Sequence, residues 1–360
     1  MSARSRVIFA ILPFVLLARG ASADPFKVGV IVPLTGPVAE YGTAIVNGIT
    51  LAHEQHKENL SSCQFFVEDS AYKTTQALTA FNKFQIGSGA GLVYVFGGPM
   101  GEALAPVAEA KKAPLIIDHI DGKSVAGKEF VVRYANSKRE LGASLTRSLQ
   151  KRGVKRVALV VVDNQYLNAL VEGFIADSQG SIEVETIARI TPDEIDLRHL
   201  APKIRAAKFD ALGLFLFPAQ ASSLAKNLHM PGKILISGDF MASPVPLEDA
   251  RGALDGIIFP NNLVDETFTS AYKRRFGNEA HIKFAAEGYD VATMLAETVC
   301  SHAGASPLSG EQVMKFLTSV PPRKGAQGET VFRVSPDGDR YFAAPVVSMI
   351  GKRAGFSVDP

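Results

Sequence analysis

The feature that most constrains this chain is an alternation of short apolar segments with amphipathic segments, which runs twice along the sequence. Apolar runs such as 28–32, 92–96 and 157–162 are each followed by residues at helical spacing. The runs are continuously apolar, which is typical of parallel strands covered by helices on both faces. The series restarts near residue 137. The sequence therefore predicts an α/β protein of two lobes, each a doubly wound sheet.

The length agrees with this division, because 360 residues of which 47% are hydrophobic suffice for two buried cores. From about residue 262 the chain offers two more helices and two β-like segments, too little for a third domain. We therefore expect this segment to complete the two lobes. The predicted boundaries assign 24–136 and 262–335 to the first lobe, and 137–261 and 336–360 to the second.

Residues 1–23 have the layout of a secretory signal peptide. A basic start precedes a 12-residue apolar run at 7–18, and Ala21-Ser22-Ala23 forms a small-x-small cleavage site. The alternative is a membrane anchor, but 12 residues give a helix of only ~18 Å against a hydrocarbon core of ~30 Å. We expect cleavage after Ala23, export to the periplasm and no stable membrane anchor.

The basic charge of the chain belongs to this leader. Removing Arg4, Arg6 and Arg19 from the 38 basic residues leaves 35 against 36 acidic residues. The remaining chain is close to neutral, so its charge does not indicate a nucleic-acid partner.

The sequence lacks three motifs that are common in enzymes. It has no G-x-S-x-G, no G-x-x-x-x-G-K-[ST] and no H-E-x-x-H. The glycine-rich segment 87–91 precedes a strand, whereas a phosphate-binding loop follows one. His53 and His56 are one residue short of metalloprotease spacing, and we interpret them as a solvated helix face. We expect no catalytic residues, no metal and no cofactor, and thus a binding protein and not an enzyme.

Candidate binding residues lie where predicted strands end, the edge at which open α/β sheets bind ligands. In the first half these are Tyr41 and the segments 97–101 and 118–122. In the second half they are the segments 163–166, 217–220 and 238–240. Rings, carboxylates and helix starts recur at one edge of both lobes, which predicts a cleft between them.

Several of these segments together resemble a known family. They are 32–42 (strand-P-L-T-G-P-x-A-x-Y-G), 47–48, 67–70, 132–134, 162–166 and 286–290. Their order and spacing are similar to those of periplasmic solute-binding proteins of the leucine/isoleucine/valine type. The resemblance implies two Rossmann-like lobes joined by a three-strand hinge, the type I periplasmic binding fold. It also implies closure on a small molecule and its delivery to an inner-membrane ABC permease. We expect the protein to be a monomer.

The resemblance also implies which residues contact the ligand. Tyr41 and Tyr166 match cleft aromatics, Asp239 matches the acidic group for a ligand ammonium, and Phe217 and Phe284 match side-chain contacts. For the rings the alternative is ordinary core, and for Asp239 a turn aspartate. The ligand carboxylate is expected at the helix start and at the turn after the fourth strand. Those positions are Met100, Gly101, Ile120, Asp121 and Gly122.

The chain departs from the family at the carboxylate site. Relatives that bind α-amino acids usually have Ser near 99–101 and Thr near 121–122, whereas this chain has Pro99-Met100-Gly101 and Asp121-Gly122. The departure argues against leucine, isoleucine or valine and leaves an amino-acid-like, amide or organic-acid ligand. The acidic candidates Asp118, Asp121 and Asp239 favour a cationic or donor-rich group. A regulatory ligand sensor of the same fold is the alternative function, and the signal peptide argues against it.

The chain has two cysteines, Cys63 and Cys300, which are either two buried thiols or one disulfide. The predicted topology places both at the end of the first lobe that is remote from the cleft. A bond there would be structural.

Overall fold

The computed structural model describes residues 24–36, 38–120, 122–134, 136, 138–228, 230, 232–242, 244–303, 307–353 and 355–359. The predicted leader 1–23 and Asp121 therefore lie outside the described residues. Within those ranges no helix combines the length and the apolar character needed to cross a membrane.

Fifteen strands form two sheets in the part of the chain that is described. The strands are β1 Phe26–Val32, β2 Cys63–Asp69, β3 Leu92–Phe96, β4 Leu115–Asp118, β5 Val131–Tyr134, β6 Arg156–Val162, β7 Glu183–Ile190, β8 Ala211–Phe215, β9 Ile234–Ser237, β10 Ile257–Asn262, β11 Arg323–Gly325, β12 Gly328–Val334, β13 Arg340–Ala343, β14 Val346–Lys352 and β15 Gly355–Val358. The first sheet has the order β11-β12-β13-β5-β4-β3-β1-β2, and the second has the order β15-β14-β10-β9-β8-β6-β7.

Helices connect and cover the strands. They are α1 Ala39–Gln55, α2 Lys57–Leu60, α3 Thr74–Lys83, α4 Gly98–Lys111, α5 Lys138–Lys151, α6 Gln165–Ser178, α7 Ala201–Ala206, α8 Pro218–Leu228, α9 Pro244–Asp249, α10 Glu266–Phe276, α11 Ile282–Leu295 and α12 Gly310–Thr318. We call the first sheet with α1–α4 and α10–α12 the first lobe, and the second sheet with α5–α9 the second lobe.

The apolar runs that predicted the fold are buried strands with helices on both faces. In β1, Val30 and Val32 belong to one core and Ile31, between them, belongs to another. The neighbouring strand β3 is buried at all five positions. Neither face of such a strand meets water, so neither face carries polar side chains, and the prediction of two doubly wound α/β lobes is confirmed.

The C-terminal part of the chain is not assigned to the lobes as predicted. Residues 336–360 were expected in the second lobe, but β13 (Arg340–Ala343) pairs parallel with β5 in the first sheet. It also pairs antiparallel with β12, so the first sheet ends in an antiparallel edge. Only β14 and β15 join the second sheet, again as antiparallel strands. A four-residue strand gives no periodicity that could have assigned it to either lobe.

The chain passes between the two sheets three times, after β5, after β10 and after β13. The second and third crossings are joined by a hydrogen bond of 3.2 Å from the Asn262 side-chain amide to the carbonyl of Pro345. The crossings thus form the hinge between the lobes.

Helices α1 and α11 pack very closely because a glycine of each helix faces the backbone of the other helix. A Cβ added at Gly48 would come within 1.9 Å of the carbonyl oxygen of Ala285, and one added at Gly288 within 2.3 Å of that of Ile45. This packing holds α11, which carries residues of the site described below, against the first sheet.

The structure joins Cys63 and Cys300 in a disulfide, with their Cα atoms 5.5 Å apart. Cys63 begins β2, at the sheet edge opposite to the carboxyl ends of the strands. Cys300 ends the helical turn Ala296–Cys300 that continues α11. The bond therefore links two elements of the first lobe at the end away from the interlobe cleft.

Candidate functional site: the interlobe cleft

A small cavity lies between the lobes, directly above the three crossings, with a free volume of about 20 Å³, room for one water molecule. Its walls come from both lobes and from all three crossings. The lining residues are His119, Tyr134, Asn136, Lys138, Leu141, Tyr166, Asp239, Asn262, Lys283, Glu287, Gln327, Phe342 and Ala344. The lobes thus meet around a site at which most lining residues carry polar side chains.

The second lobe contributes Tyr166 and Asp239, two residues that the sequence predicted at strand ends. Tyr166 lies in the first turn of α6, and Asp239 follows β9. The tyrosine hydroxyl donates a hydrogen bond of 2.6 Å to Oδ2 of Asp239. Phe240 stacks on the Tyr166 ring at 5.4 Å, and the ammonium of Lys138 lies 3.5 Å from the centre of that ring. The position of the Tyr166 ring is therefore fixed by its contacts with Asp239, Phe240 and Lys138.

The first lobe contributes Lys283 and Glu287, which lie one turn apart on α11 and so face the same way. The ammonium of Lys283 reaches across to the second lobe and lies 3.5 Å from Oδ2 of Asp239. Glu287 is 4% exposed, and its Oε2 has no hydrogen-bond partner among the described residues. The two lobes are thus connected through an ion pair inside the cleft.

His119 and Asp118, at the end of β4, complete the first-lobe side. Oδ1 of Asp118 lies 2.7 Å from Nδ1 of His119, and its Oδ2 accepts a hydrogen bond of 2.5 Å from the hydroxyl of Tyr94. The other ring nitrogen, Nε2, lies 3.9 Å from Oε1 of Glu287. His119 has a φ of +59°, a backbone conformation that is uncommon outside glycine.

These groups shift one another's pKa values. Burial raises the pKa of Glu287 to about 8, and the charge of Asp118 adds to the effect. Burial would lower the pKa of His119, but Asp118 and Glu287 outweigh it and raise that pKa. Burial would raise the pKa of Asp239, but Lys283, Lys138 and the Tyr166 hydroxyl outweigh it and lower that pKa. At neutral pH Asp239 is therefore ionised and Glu287 is largely protonated.

Asp118, His119 and Glu287 also offer nitrogen and oxygen atoms within 4.8 Å of one another, a spacing at which a metal ion could be held. Two features disfavour a divalent cation there. Asp118 and His119 already bond each other, and the positive charge of Lys283 acts on both carboxylates. We therefore interpret the cluster as part of an organic-ligand site.

The predicted aromatic residues form two ring clusters at the edges of the cleft. Tyr41 stacks on Phe284 at 4.4 Å between ring centres, and Phe96 contacts both rings edge-on. In the second lobe Phe217 stacks on Phe240 at 6.1 Å, next to Tyr166. Neither Tyr41, Phe217 nor Phe284 is among the residues that line the cavity.

Among the described residues, the predicted carboxylate-binding residues Met100, Gly101, Ile120 and Gly122 do not line the cavity. Met100 and Ile120 are 0% and 1% exposed and belong to the core of the first lobe. A Cβ on Gly101 would meet the Ile117 side chain at 2.4 Å, and its N–H donates to the carbonyl of Gly97. Gly122 begins a short helical turn beside Asp339. Because α4 begins at Gly98, Met100 and Gly101 already lie inside its first turn.

Sequence reasoning did not select Lys283, Glu287, Lys138 or Gln327 as site residues. Lys283 and Glu287 are four residues apart and lie beside Phe284, a predicted contact residue. This spacing could have indicated that α11 presents polar groups to the cleft. Gln327 had no such sign, because it lies in the short connection between β11 and β12.

The fold and the site together define a class of protein: two α/β lobes hinged by three crossings around a polar cleft make a bilobal binding protein. The family described as periplasmic binding protein matches residues 25–350, so the chain belongs to that family. Its members are substrate-binding proteins and not enzymes. The family predicted from the sequence is thus confirmed.

The individual relatives are distant from this chain in sequence. A Leu/Ile/Val-binding protein, BraC3, of Rhizobium johnstonii is 28% identical over 257 residues, which are 67% of this chain and 68% of that protein. The leucine-binding protein LivK of Thermotoga maritima superposes with a TM-score of 0.75 at 21% identity, covering 92% of this chain and 97% of its own. A solute-binding protein of R. palustris in complex with benzoate superposes with a TM-score of 0.74 at 17% identity, over 93% and 95% of the two chains.

Proposed function

We propose that this protein is the extracytoplasmic solute-binding component of an ABC importer. Its ligand is a small amino-acid-like, amide or organic-acid molecule, which it binds between the lobes and delivers to an inner-membrane permease. The observation that carries the proposal is the convergence of buried polar groups from both lobes on one small cavity above the hinge. The cavity holds only one water molecule, so the lobes must separate along the hinge to admit such a ligand. A ligand held there contacts both lobes at once, so its binding favours an arrangement in which the lobes close on it.

Unsatisfied polar atoms support a ligand at this place. Four atoms that belong to lining residues have no hydrogen-bond partner among the described residues: Oδ1 of Asn136, Oδ1 of Asp239, Oε2 of Glu287 and Nε2 of Gln327. Asn136 and Gln327 are 8% and 1% exposed. Leaving a buried polar group unpaired costs about 1–3 kcal/mol, and a polar ligand that pairs with these atoms recovers that energy.

The ligand classes bound by relatives give the range to test. The relatives include leucine/isoleucine/valine-binding proteins and a protein in complex with benzoate. In this chain the first turn of α4 presents Met100 to the core, and positions 99–101 carry no hydroxyl group. This supports a ligand other than leucine, isoleucine or valine.

A thermal-shift panel of amino acids, amides and organic acids, followed by calorimetry, tests the proposal. A compound present at a hundred times its Kd stabilises the folded state by about 2.7 kcal/mol, which gives a clear shift in Tm. We expect one class of compounds to raise Tm and to bind one molecule per chain without turnover. Chemical conversion of the stabilising compound would contradict a carrier function.

The location is part of the same proposal. We expect the exported protein to be monomeric and to begin at Asp24, after cleavage behind Ala23. The mass of the protein purified from a periplasmic fraction, measured by mass spectrometry, gives the cleavage position directly. A mass that includes residues 1–23 would contradict the proposed cleavage.

A further inference from the structure

The buried ion pair between the lobes indicates which ligands the cleft selects. Lys283 belongs to α11 of the first lobe and Asp239 to the second lobe, and their side chains are 16% and 7% exposed. The same carboxylate accepts the hydroxyl of Tyr166. Asp239, which the sequence suggested as the partner of a ligand ammonium, thus has an ammonium from the chain itself.

The other two acidic side chains described at the cleft, those of Asp118 and Glu287, also carry no uncompensated negative charge. Asp118 accepts the hydroxyl of Tyr94 and pairs with the ring of His119. Glu287 has a pKa raised to about 8 by burial, so it carries a proton at neutral pH. A ligand ammonium would therefore find no described carboxylate that still lacks a partner charge or a proton. It would also lie close to the positive charge of Lys283, which is unfavourable in a desolvated site.

The same residues supply donors for a carboxylate. An ammonium carries three N–H donors, and the contact of Lys283 with Asp239 uses one of them. Nε2 of Gln327 is a buried donor with no hydrogen-bond partner among the described residues, and protonated Glu287 offers an O–H. Lys283, Gln327 and Glu287 all line the cavity.

Two acceptors in the cavity match a neutral O–H group. Oδ1 of Asp239 and Oδ1 of Asn136 are buried and have no partner among the described residues. A hydroxyl donates one hydrogen bond to such an acceptor and brings no charge, so it does not compete with Lys283.

Resting on the function proposed above, we propose that Lys283 is a built-in counter-ion of Asp239 and that the cleft selects small hydroxy carboxylic acids over the matching amino acids. The ligand carboxylate binds at Lys283 and Gln327, and its hydroxyl donates to Asp239 or Asn136. Lys283 is thus the specificity-determining residue, because it occupies the place of a ligand ammonium.

Matched pairs that differ only in hydroxyl against ammonium test this selection. Calorimetry would compare lactate with alanine, 2-hydroxy-4-methylpentanoate with leucine, and 3-phenyllactate with phenylalanine, together with the acids and amides of the thermal-shift panel. We expect hydroxy acids to bind at least about tenfold more tightly than their amino partners, the value of one charged hydrogen bond. Tighter binding of an amino acid overturns the inference and leaves the carrier function intact. If no compound binds, the proposed function fails, and this inference fails with it.

Two variants test the separate roles of Lys283 and Asp239. Lys283→Met removes the counter-ion, so we expect affinity for the hydroxy acid to fall about tenfold to a hundredfold while affinity for the amino acid rises. Asp239→Asn keeps Oδ1 as an acceptor and frees Lys283 for the ligand, so acid binding should be retained or become tighter. Loss of acid binding in Asp239→Asn, or unchanged selectivity in Lys283→Met, would overturn the inference. Lys273→Met, at a surface ion pair with Glu279, is the matched control, and circular dichroism checks that each variant is folded.

Discussion

Arg133 and Asp339 form a bidentate ion pair that is almost completely buried at the base of the hinge. Nε of Arg133 lies 2.9 Å from Oδ1 of Asp339 and Nη2 lies 2.5 Å from Oδ2, while Nη1 donates to the carbonyl of Ile120. Arg133 belongs to β5 and Asp339 immediately precedes β13, the two strands after which the first and third crossings leave the first sheet. The pair therefore fixes the origin of two crossings relative to each other.

Replacing Arg133 by Met should destabilise the protein strongly, because it leaves the carboxylate of Asp339 buried without its partner. Breaking a buried pair in this way costs about 3–5 kcal/mol. Urea unfolding at equilibrium measures the change. Arg198→Met removes an exposed ion pair with Asp196 and should change the stability far less, because solvent screens the pair. Equal effects of the two substitutions would show that the buried pair does not stabilise the hinge.

Removing the disulfide should lower stability without affecting the cleft. The bond closes a loop across a sequence separation of 237 residues, and its loss typically costs 2–5 kcal/mol. The variant Cys63→Ala/Cys300→Ala should therefore unfold at lower urea concentration. Its ligand affinity should remain that of the wild type, because Cys300 lies 17 residues along the helix from Lys283, roughly 25 Å away. A large loss of affinity in the folded variant would contradict the remote location.

Glu287 should make the folded state less stable as the pH rises. Its pKa is about 8 in the folded protein against an ordinary value of 4.5. Between these values the folded state binds more protons than the unfolded state, so the free energy of unfolding falls with increasing pH. His119, whose pKa is also raised, contributes in the same direction as the pH rises above its ordinary value of 6.5.

The variant Glu287→Gln isolates this contribution. Urea unfolding at pH 5, 6.5 and 8 should show a smaller decrease in stability for the variant than for the wild type, by at least about 1.4 kcal/mol, the equivalent of one pKa unit. The variant retains Asp118, His119, Lys283 and Asp239, the groups that act on Glu287. It also removes the part of the raised pKa of His119 that is due to Glu287, which changes the pH profile in the same direction. Parallel pH profiles would mean that Glu287 titrates normally.

The contact between α1 and α11 should be sensitive to a single methyl group. Gly48→Ala places a Cβ within 1.9 Å of the carbonyl oxygen of Ala285, so the helices must separate. We expect a loss of about 1–3 kcal/mol, as for other overpacked cores, and weaker ligand binding because α11 carries Lys283 and Glu287. Gly87→Ala is the control, since its Cβ would meet no atom within 4 Å. If Gly48→Ala is as stable as this control, the close packing is not required.

The two lobes could be predicted from sequence because buried parallel strands leave a strong apolar pattern. Short antiparallel edge strands such as β13 leave no comparable pattern, and their partners are set by the path of the chain through the crossings. The start of α4 also differs from the expectation. Met100 and Gly101 were expected at the start of this helix, but it begins at Gly98, so both lie inside its first turn and Met100 packs in the core.

The site could be predicted in part, where its residues follow strands directly. Tyr166 and Asp239 were predicted in this way and lie together in the cavity. Lys283 and Glu287 come from a helix far along the chain, and only the packing of α11 on α1 brings them to the cleft. Sequence spacing reveals that two residues share a helix face, but which lobe that face meets depends on the tertiary contact.

Calorimetric titration of the stabilising compound into the wild type and into Tyr166→Ala tests the central claim most directly. If the interlobe cavity is the binding site, the wild type binds one molecule per chain and Tyr166→Ala loses at least about tenfold in affinity, because the support of Asp239 is lost. Phe356→Ala, a partly exposed residue of the edge strand β15, should bind like the wild type. A Tyr166→Ala protein that is folded and binds with unchanged Kd would contradict the assignment of the cleft as the ligand site.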